Sequence, residues 1–217
     1  MFESKYSKVL TVILVIVIIA IVGLLGFLAY DYYQNYVVTK DTADFVDNFQ
    51  GDVQDGEADE NNSETTDDGT LNKIQDATIG SSTKRTYKGF GVLGTMEIPA
   101  TNFKYPVLYK VTKKSIETAV AFLYGSGLNQ PGNSVIIGHN YRNGLFFSNN
   151  KKLNIGDKIY ITDNDGKKVT YTIYNKFETT PEDTSFYQRD TSGKPEITLS
   201  TCTDDSKARL IILAKAE

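Results

Sequence analysis

The chain has 217 residues, with 23 Lys+Arg against 27 Asp+Glu, one His, one Cys and a net charge of −4. A single Cys excludes an intrachain disulfide framework and a Cys-built zinc centre, and a single His excludes any site needing two imidazoles, such as HExxH. No GxxxxGK[ST] run occurs, which leaves no P-loop. The acidity is local. Eleven acids and no Lys or Arg lie from Asp41 to Asp68, whereas residues 71–217 carry 20 basic against 14 acidic side chains, or +6.

After a short tail (1–8), the stretch from Val9 to Tyr30 holds no charge over 22 residues. About 20 apolar residues at 1.5 Å each cross a bilayer core, whereas a signal-peptide core runs roughly 7–15. A transmembrane anchor over 9–30 is therefore expected, in preference to a buried core helix or a cleaved signal. Lys5 and Lys8 precede it, and Asp31 and the acidic run follow it. The positive-inside rule then puts the N-terminus in the cytoplasm and the rest outside. Tyr30, Tyr32, Tyr33 and Tyr36 suit the outer headgroup layer.

Residues 31–88 read as an acidic extracytoplasmic linker. Large apolar side chains are few over 41–70 and like charges repel, which predicts an extended spacer. The EF-hand spacing is not met there.

The remaining segment, 89–217, reads as the folded domain. GVLGTMEIPA and FKYPVLY predict two short strands carrying Pro. KKSIETAVAFLYG places Ile116, Val120 and Leu123–Tyr124 at helical spacing and predicts a helix ended by Gly125. NSVIIGH predicts a buried strand, and GLFFSNNKKL a short helix or loop. KIYITDNDGKKVTYTIYNKF predicts a hairpin about Asp165–Gly166. A turn-rich loop then leads to the strands EITLSTC and ARLIILAK. The sum is a mainly β fold, a closed or half-closed barrel of about eight strands with one or two short helices.

Cys202 and His139 each end an apolar strand and precede polar residues, positions from which side chains project into loop-lined clefts. A thiol acts as a nucleophile when a nearby imidazole or positive charge favours the thiolate. Arg209 opens the next strand, seven residues on. If TDDSKA is a simple connection, the last two strands pair antiparallel and bring Arg209 beside Cys202, where a guanidinium can stabilise an oxyanion. The competing reading is a small buried Cys and an unrelated surface His.

Thr198-Leu199-Ser200-Thr201-Cys202 with Arg209 resembles the TLxTC…R signature of sortases, and NSVIIGH resembles the strand that delivers the sortase histidine. IPATNFKYPVL and LNIGDKIYI resemble the family's early strand pair and middle, so the similarity covers roughly 89–216. The resemblance implies a membrane-bound cysteine transpeptidase of Gram-positive type with a sortase-like barrel. It cleaves a Leu-Pro-x-Thr-Gly-type motif of secreted surface proteins and passes the acyl group to an amine. That amine belongs to a peptidoglycan precursor or a pilin Lys. By position, Cys202 is the nucleophile, His139 the general acid and base, and Arg209 the oxyanion and substrate contact. Thr201, Ser200 and Asn140 give substrate or oxyanion support. The motif would lie in a groove floored by strand residues and walled by the loop Glu178–Lys194.

Asn140 and Ser200 resemble class B members, while the compact middle resembles classes A and D. The absence of an Asp-Pro-aromatic lid before residue 89 argues against class C. No cofactor, resident metal or nucleic-acid partner is expected. Glu178, Glu182 and Asp183 are the residues a calcium ion would use, as in some class A members. Two readings stay beside this one: a membrane-tethered β-barrel binding module with an inert Cys202, and another extracytoplasmic cysteine hydrolase. An L,D-transpeptidase is disfavoured because its His-Gly and Ser-x-Gly-Cys-x-Arg patterns are absent.

Overall fold

The structure, a computed structural model, describes residues 5–52 and 85–217. It divides into two units, 1–38 and 39–217. Within the first unit the chain is helical from Lys5, as part of α1 (Lys5–Asp52). Every large apolar side chain from Val9 to Leu28 is exposed. The uncharged stretch 9–30 is about 33 Å long at 1.5 Å per residue, long and apolar enough to cross a membrane.

The second unit begins with the end of α1. Thr42, Val46 and Phe49 are buried, and they share one face because residues three and four apart are neighbours on a helix. Phe45 packs edge-on against Tyr87 with ring centroids 4.9 Å apart. Arg85 lies over the Phe49 ring at 4.5 Å and donates to the Phe49 carbonyl at 2.9 Å. Lys88 pairs with Asp41 and Lys104 with Asp47. The extended spacer expected over 41–70 is thus a helix as far as Asp52. Asp41 and Asp47 face basic residues of the domain, and Val46 and Phe49 fall on one buried face. Residues 53–84, with the remainder of the expected spacer, lie outside the described residues.

Nine strands follow: β1 (Arg85–Tyr87), β2 (Phe90–Ile98), β3 (Phe103–Leu108), β4 (Val120–Tyr124), β5 (Gly132–Ile137), β6 (Lys158–Asp163), β7 (Lys168–Thr179), β8 (Pro195–Cys202) and β9 (Arg209–Ala216). The domain therefore starts four residues before Gly89. Lys88 and Gly89 both take positive φ (49° and 83°), the geometry of a tight two-residue hairpin turn. Among the described residues after β1 one α-helix occurs, α2 (Lys113–Thr118), capped by Thr112 and Ser115. The longer helix expected over 113–125 stops at Thr118. Val120, Ala121 and Phe122 instead form a strand between β3 and β5. A continuous apolar run does not distinguish the two by periodicity, and burial on both faces decides for the strand.

The sheet order is β1-β2-β3-β4-β5-β8-β9-β7-β6, and β2 also pairs with β6. That pairing closes an eight-stranded barrel, with β1 added outside it. Phe122, Ile136, Leu199 and Ile212 lie opposite one another across β4, β5, β8 and β9, all buried. On the other face of these strands, Val135, Ile211 and Leu213 form a second buried cluster with Phe186. Phe186 comes from the loop 180–194, which lies against the outside of the barrel. Asn133 holds this loop by donating to the Phe186 and Tyr187 carbonyls at 3.1 and 2.9 Å. Arg189 holds it by donating to Glu196, Thr198 and the Phe186 carbonyl at 2.8–3.0 Å.

Candidate active site

Parallel pairing of β5 with β8 aligns Ile137 with Ser200. The alignment continues past the strand end, because Gly138 N–H donates to the Ser200 carbonyl at 3.3 Å and Thr201 Oγ1 donates to the Gly138 carbonyl at 2.7 Å. One residue further, His139 stands level with Cys202. Gly138 is required at this crossing, since a Cβ there would meet Val120 Cγ1 at 2.8 Å and Phe147 Cδ2 at 2.9 Å.

β8 and β9 pair antiparallel with Cys202 opposite Arg209. Arg209 Nη1–H donates to Cys202 Sγ at 3.0 Å, and both residues are half-buried. The connection is a tight turn, with Thr203 N–H bonded to the Ala208 carbonyl at 3.0 Å. Alternate strand residues share a face, so Cys202 and Arg209 lie on the outer face with Ile211, Leu213 and Val135, the face on which loop 180–194 rests. Tyr187 of that loop has its phenol pKa raised by burial, with the Arg209 charge acting against it.

The His139 ring stacks on Tyr141, centroids 4.9 Å apart and planes 28° apart. Its carbonyl accepts Phe147 N–H at 3.0 Å. The next residue ties the His139 and Cys202 segments together. Asn140 Nδ2 donates to the Cys202 carbonyl at 3.0 Å and to Asp204 Oδ1 at 2.9 Å. Lys151 donates to the other Asp204 oxygen at 2.5 Å, and Arg142 donates to Ser206 Oγ at 2.9 Å. Lys151, and then Asn140, hold the Asp204 carboxyl below the usual carboxylate range. A cleft of about 330 Å³ opens here, lined by Cys202, Thr201, Asn140, Lys151, Glu178 and Asp204 among others.

Cys202, His139 and Arg209 are thus brought to one end of three adjacent strands. Ser200 and Thr201 are buried, the Thr201 hydroxyl is turned to Gly138, and the Asn140 amide is turned to Cys202 O and Asp204. Sequence reading passed over Lys151 and Asp204. Asp204 stood within the polar run TDDS, but no periodic pattern marked either residue.

Among the described residues no group of three or more His, Cys, Asp or Glu is gathered that could hold a metal ion. The Asp183 carboxylate accepts from Thr179 Oγ1 at 2.5 Å and Ser185 N–H at 2.8 Å, within its own turn.

Residues 96–217, which carry the chain's lone thiol, its guanidinium partner and the lone imidazole, match the family model of the sortase domain, and the chain belongs to the sortase family. Sortase A of Bacillus anthracis is 32% identical over 124 residues, or 56% of this chain, and the match spans 58% of that relative's length. Among solved structures, Sortase A from Corynebacterium diphtheriae superposes with a TM-score of 0.59 at 24% identity, covering 88% of this chain and 91% of that one. A Clostridium perfringens Sortase D5 transpeptidase gives 0.58 at 23%, covering 83% and 99%. Clostridium perfringens sortase C with the C-terminal cell wall sorting motif gives 0.54 at 23%, covering 68% and 85%. These superpositions establish the shared fold.

Proposed function

We propose that this chain is a membrane-anchored cysteine transpeptidase. It cleaves a C-terminal sorting motif of the Leu-Pro-x-Thr-Gly type between Thr and Gly and joins the new acyl end to an amine. The acceptor is a peptidoglycan precursor or a pilin Lys, and the product is a surface protein attached to the wall or a pilus. The observation that carries this reading is the 3.0 Å contact of Arg209 with the Cys202 thiol, with His139 two residues past the end of the adjoining strand β5.

The chemistry is two acyl transfers. The Cys202 thiolate attacks the Thr carbonyl carbon, forming a C–S bond, and the charge on oxygen is met by the Arg209 guanidinium. His139 gives its proton to the departing Gly amine as the C–N bond breaks. The acceptor amine then attacks the thioester, loses its proton to His139, and the C–S bond breaks. Asn140 and Asp204 hold the two segments at a fixed spacing. The exposed apolar stretch 9–30, with Lys5 and Lys8 before it, supports an anchor with the N-terminus in the cytoplasm.

The test is turnover of a small library of quenched sorting-motif peptides by the wild-type protein and by Cys202→Ala. Wild type should cleave one class slowly and yield a Thr hydroxamate when hydroxylamine replaces the acceptor. Cys202→Ala should do neither, and His139→Ala should lose about 10²–10⁴-fold. Cleavage by Cys202→Ala at the wild-type rate, or no acyl adduct on Cys202 with any peptide, would leave the binding-module reading in its place.

A further inference from the structure

We propose that the segment Thr39–Phe49 of α1 is a positioning element for His139, acting through Tyr105 and Phe146. The inference rests on the role given to His139 above, and it begins from a strained residue. Phe146 has φ 50° and ψ −126°, a conformation a bulky L residue adopts only when its surroundings impose it. On one side it is tied to the His139 segment. Asn140 and Phe146 form a β-bridge, Phe147 N–H donates to the His139 carbonyl at 3.0 Å, and Tyr141 packs edge-on against Phe146 at 5.5 Å while stacking on the His139 ring.

On its other side stands Tyr105. Its hydroxyl accepts Phe146 N–H at 3.4 Å, and the two rings lie 5.4 Å apart. Tyr105 is itself buried, and its hydroxyl lies beside the side chains of Thr39 and Thr42 on the helix. The helix face bearing Thr42, Val46 and Phe49 is buried in the same unit. A phenol has one proton and two acceptor sites. With the helix in place, its partners and its exclusion from water fix where the hydroxyl points. Without the helix, Tyr105 is free to turn to solvent, Phe146 loses the group that bonds its N–H, and residues 139–147 can relax to a less strained path. The imidazole would then leave its position level with Cys202. The acidic helix end is in this sense part of the site and not a passive tether.

His139 is the only histidine in the chain, so one set of imidazole resonances reports its position. The experiment uses the full chain in detergent micelles, as wild type, Val46→Asp and Tyr105→Phe. Val46→Asp places a charge in the buried helix face, and Tyr105→Phe removes only the hydroxyl. Both should shift or broaden the imidazole signals. Both should lower kcat for peptide cleavage by about tenfold or more with KM little changed, as misplacement of a proton carrier does. Circular dichroism checks the fold. If Val46→Asp unfolds the domain, Tyr105→Phe alone decides. Unchanged imidazole signals or unchanged kcat in a folded variant overturns the inference. Should wild type itself cleave no sorting peptide, the functional reading fails, while the imidazole signals still decide whether the helix positions His139.

Discussion

Replacement of Arg209 tests the site most directly, because a single contact is at stake. Its Nη1–H meets Cys202 Sγ at 3.0 Å in a half-buried setting. A hydrogen bond to a charged group contributes about 1.5–3 kcal/mol net. If the contact is fully expressed in the transition state, its loss costs about 13- to 160-fold in kcat/KM, at roughly 1.36 kcal/mol per tenfold. Arg209→Ala should lose that much or more, because the guanidinium also presents further N–H groups to the developing oxyanion. Arg209→Lys keeps the charge but loses the planar fork, and should lie between Ala and wild type. The assay is the initial rate of peptide cleavage, with thermal melting to show that β9 stays paired. The contact is made by a side chain at the strand's first residue, so the melting temperature should barely move. A folded Arg209→Ala protein that cleaves within about threefold of wild type, under 1 kcal/mol, would refute the assignment of transition-state stabilisation to this residue.

Four further outcomes follow from other contacts. Asp204→Asn should slow turnover several-fold with little effect on the melting temperature, since it loosens the link from Lys151 and Asn140 to the Cys202 turn; kinetics beside a melt check this. The folded Asp204 pKa is depressed, so its stabilising contact is complete above the unfolded-state value and is lost as pH falls through the lower folded value. Wild-type loop protection in hydrogen exchange should therefore persist through the ordinary carboxylate range and fail only below it. Arg189→Ala removes one of the partners of Glu196, Thr198 and the Phe186 carbonyl and should cost about 1.5–3 kcal/mol, read by urea denaturation, together with faster proteolysis between residues 180 and 194. A chain beginning at Arg85 should fold less stably than one beginning at Thr39 by about 3–6 kcal/mol, from the burial of Val46 and Phe49 at 1.5–3 kcal/mol each; equal urea midpoints would sink this.

The meeting of Cys202 and Arg209 was legible in the sequence because six residues between two β-branched strands leave little but an antiparallel turn. His139 could be marked as a strand-ending residue. Its nearness to Cys202 depends on β5 lying parallel beside β8, a contact 63 residues away in sequence that no local pattern encodes. The run Val120–Tyr124 carried apolar spacing that fits either element, and only its neighbours made it a strand. The helix end at 39–52 was hidden by its charge. The stripe of Thr42, Val46 and Phe49 was present, but its worth depended on Tyr87, Arg85 and Tyr105, far along the chain. Asp204 and Lys151 become notable only once the turn after β8 is set against the segment after β5.

Cys202 and Arg209 stand on barrel strands, whereas loop 180–194 lies against the same outer face, and the two are held by different bonds. A one-residue slip of β8 against β5 would turn Cys202 inward and expose Leu199, so the spacing of the reacting groups is protected by the same apolar rows that keep the barrel closed. The loop is held instead by Asn133, by Arg189 and by the burial of Phe186 against Val135, Ile211 and Leu213. Insertions or exchanges away from those anchors would reshape the surface beside Cys202 and Arg209 without shifting the strand register that sets their spacing. Exchanging the loop with that of a relative would therefore change this outer surface while the paired strands keep Cys202 opposite Arg209.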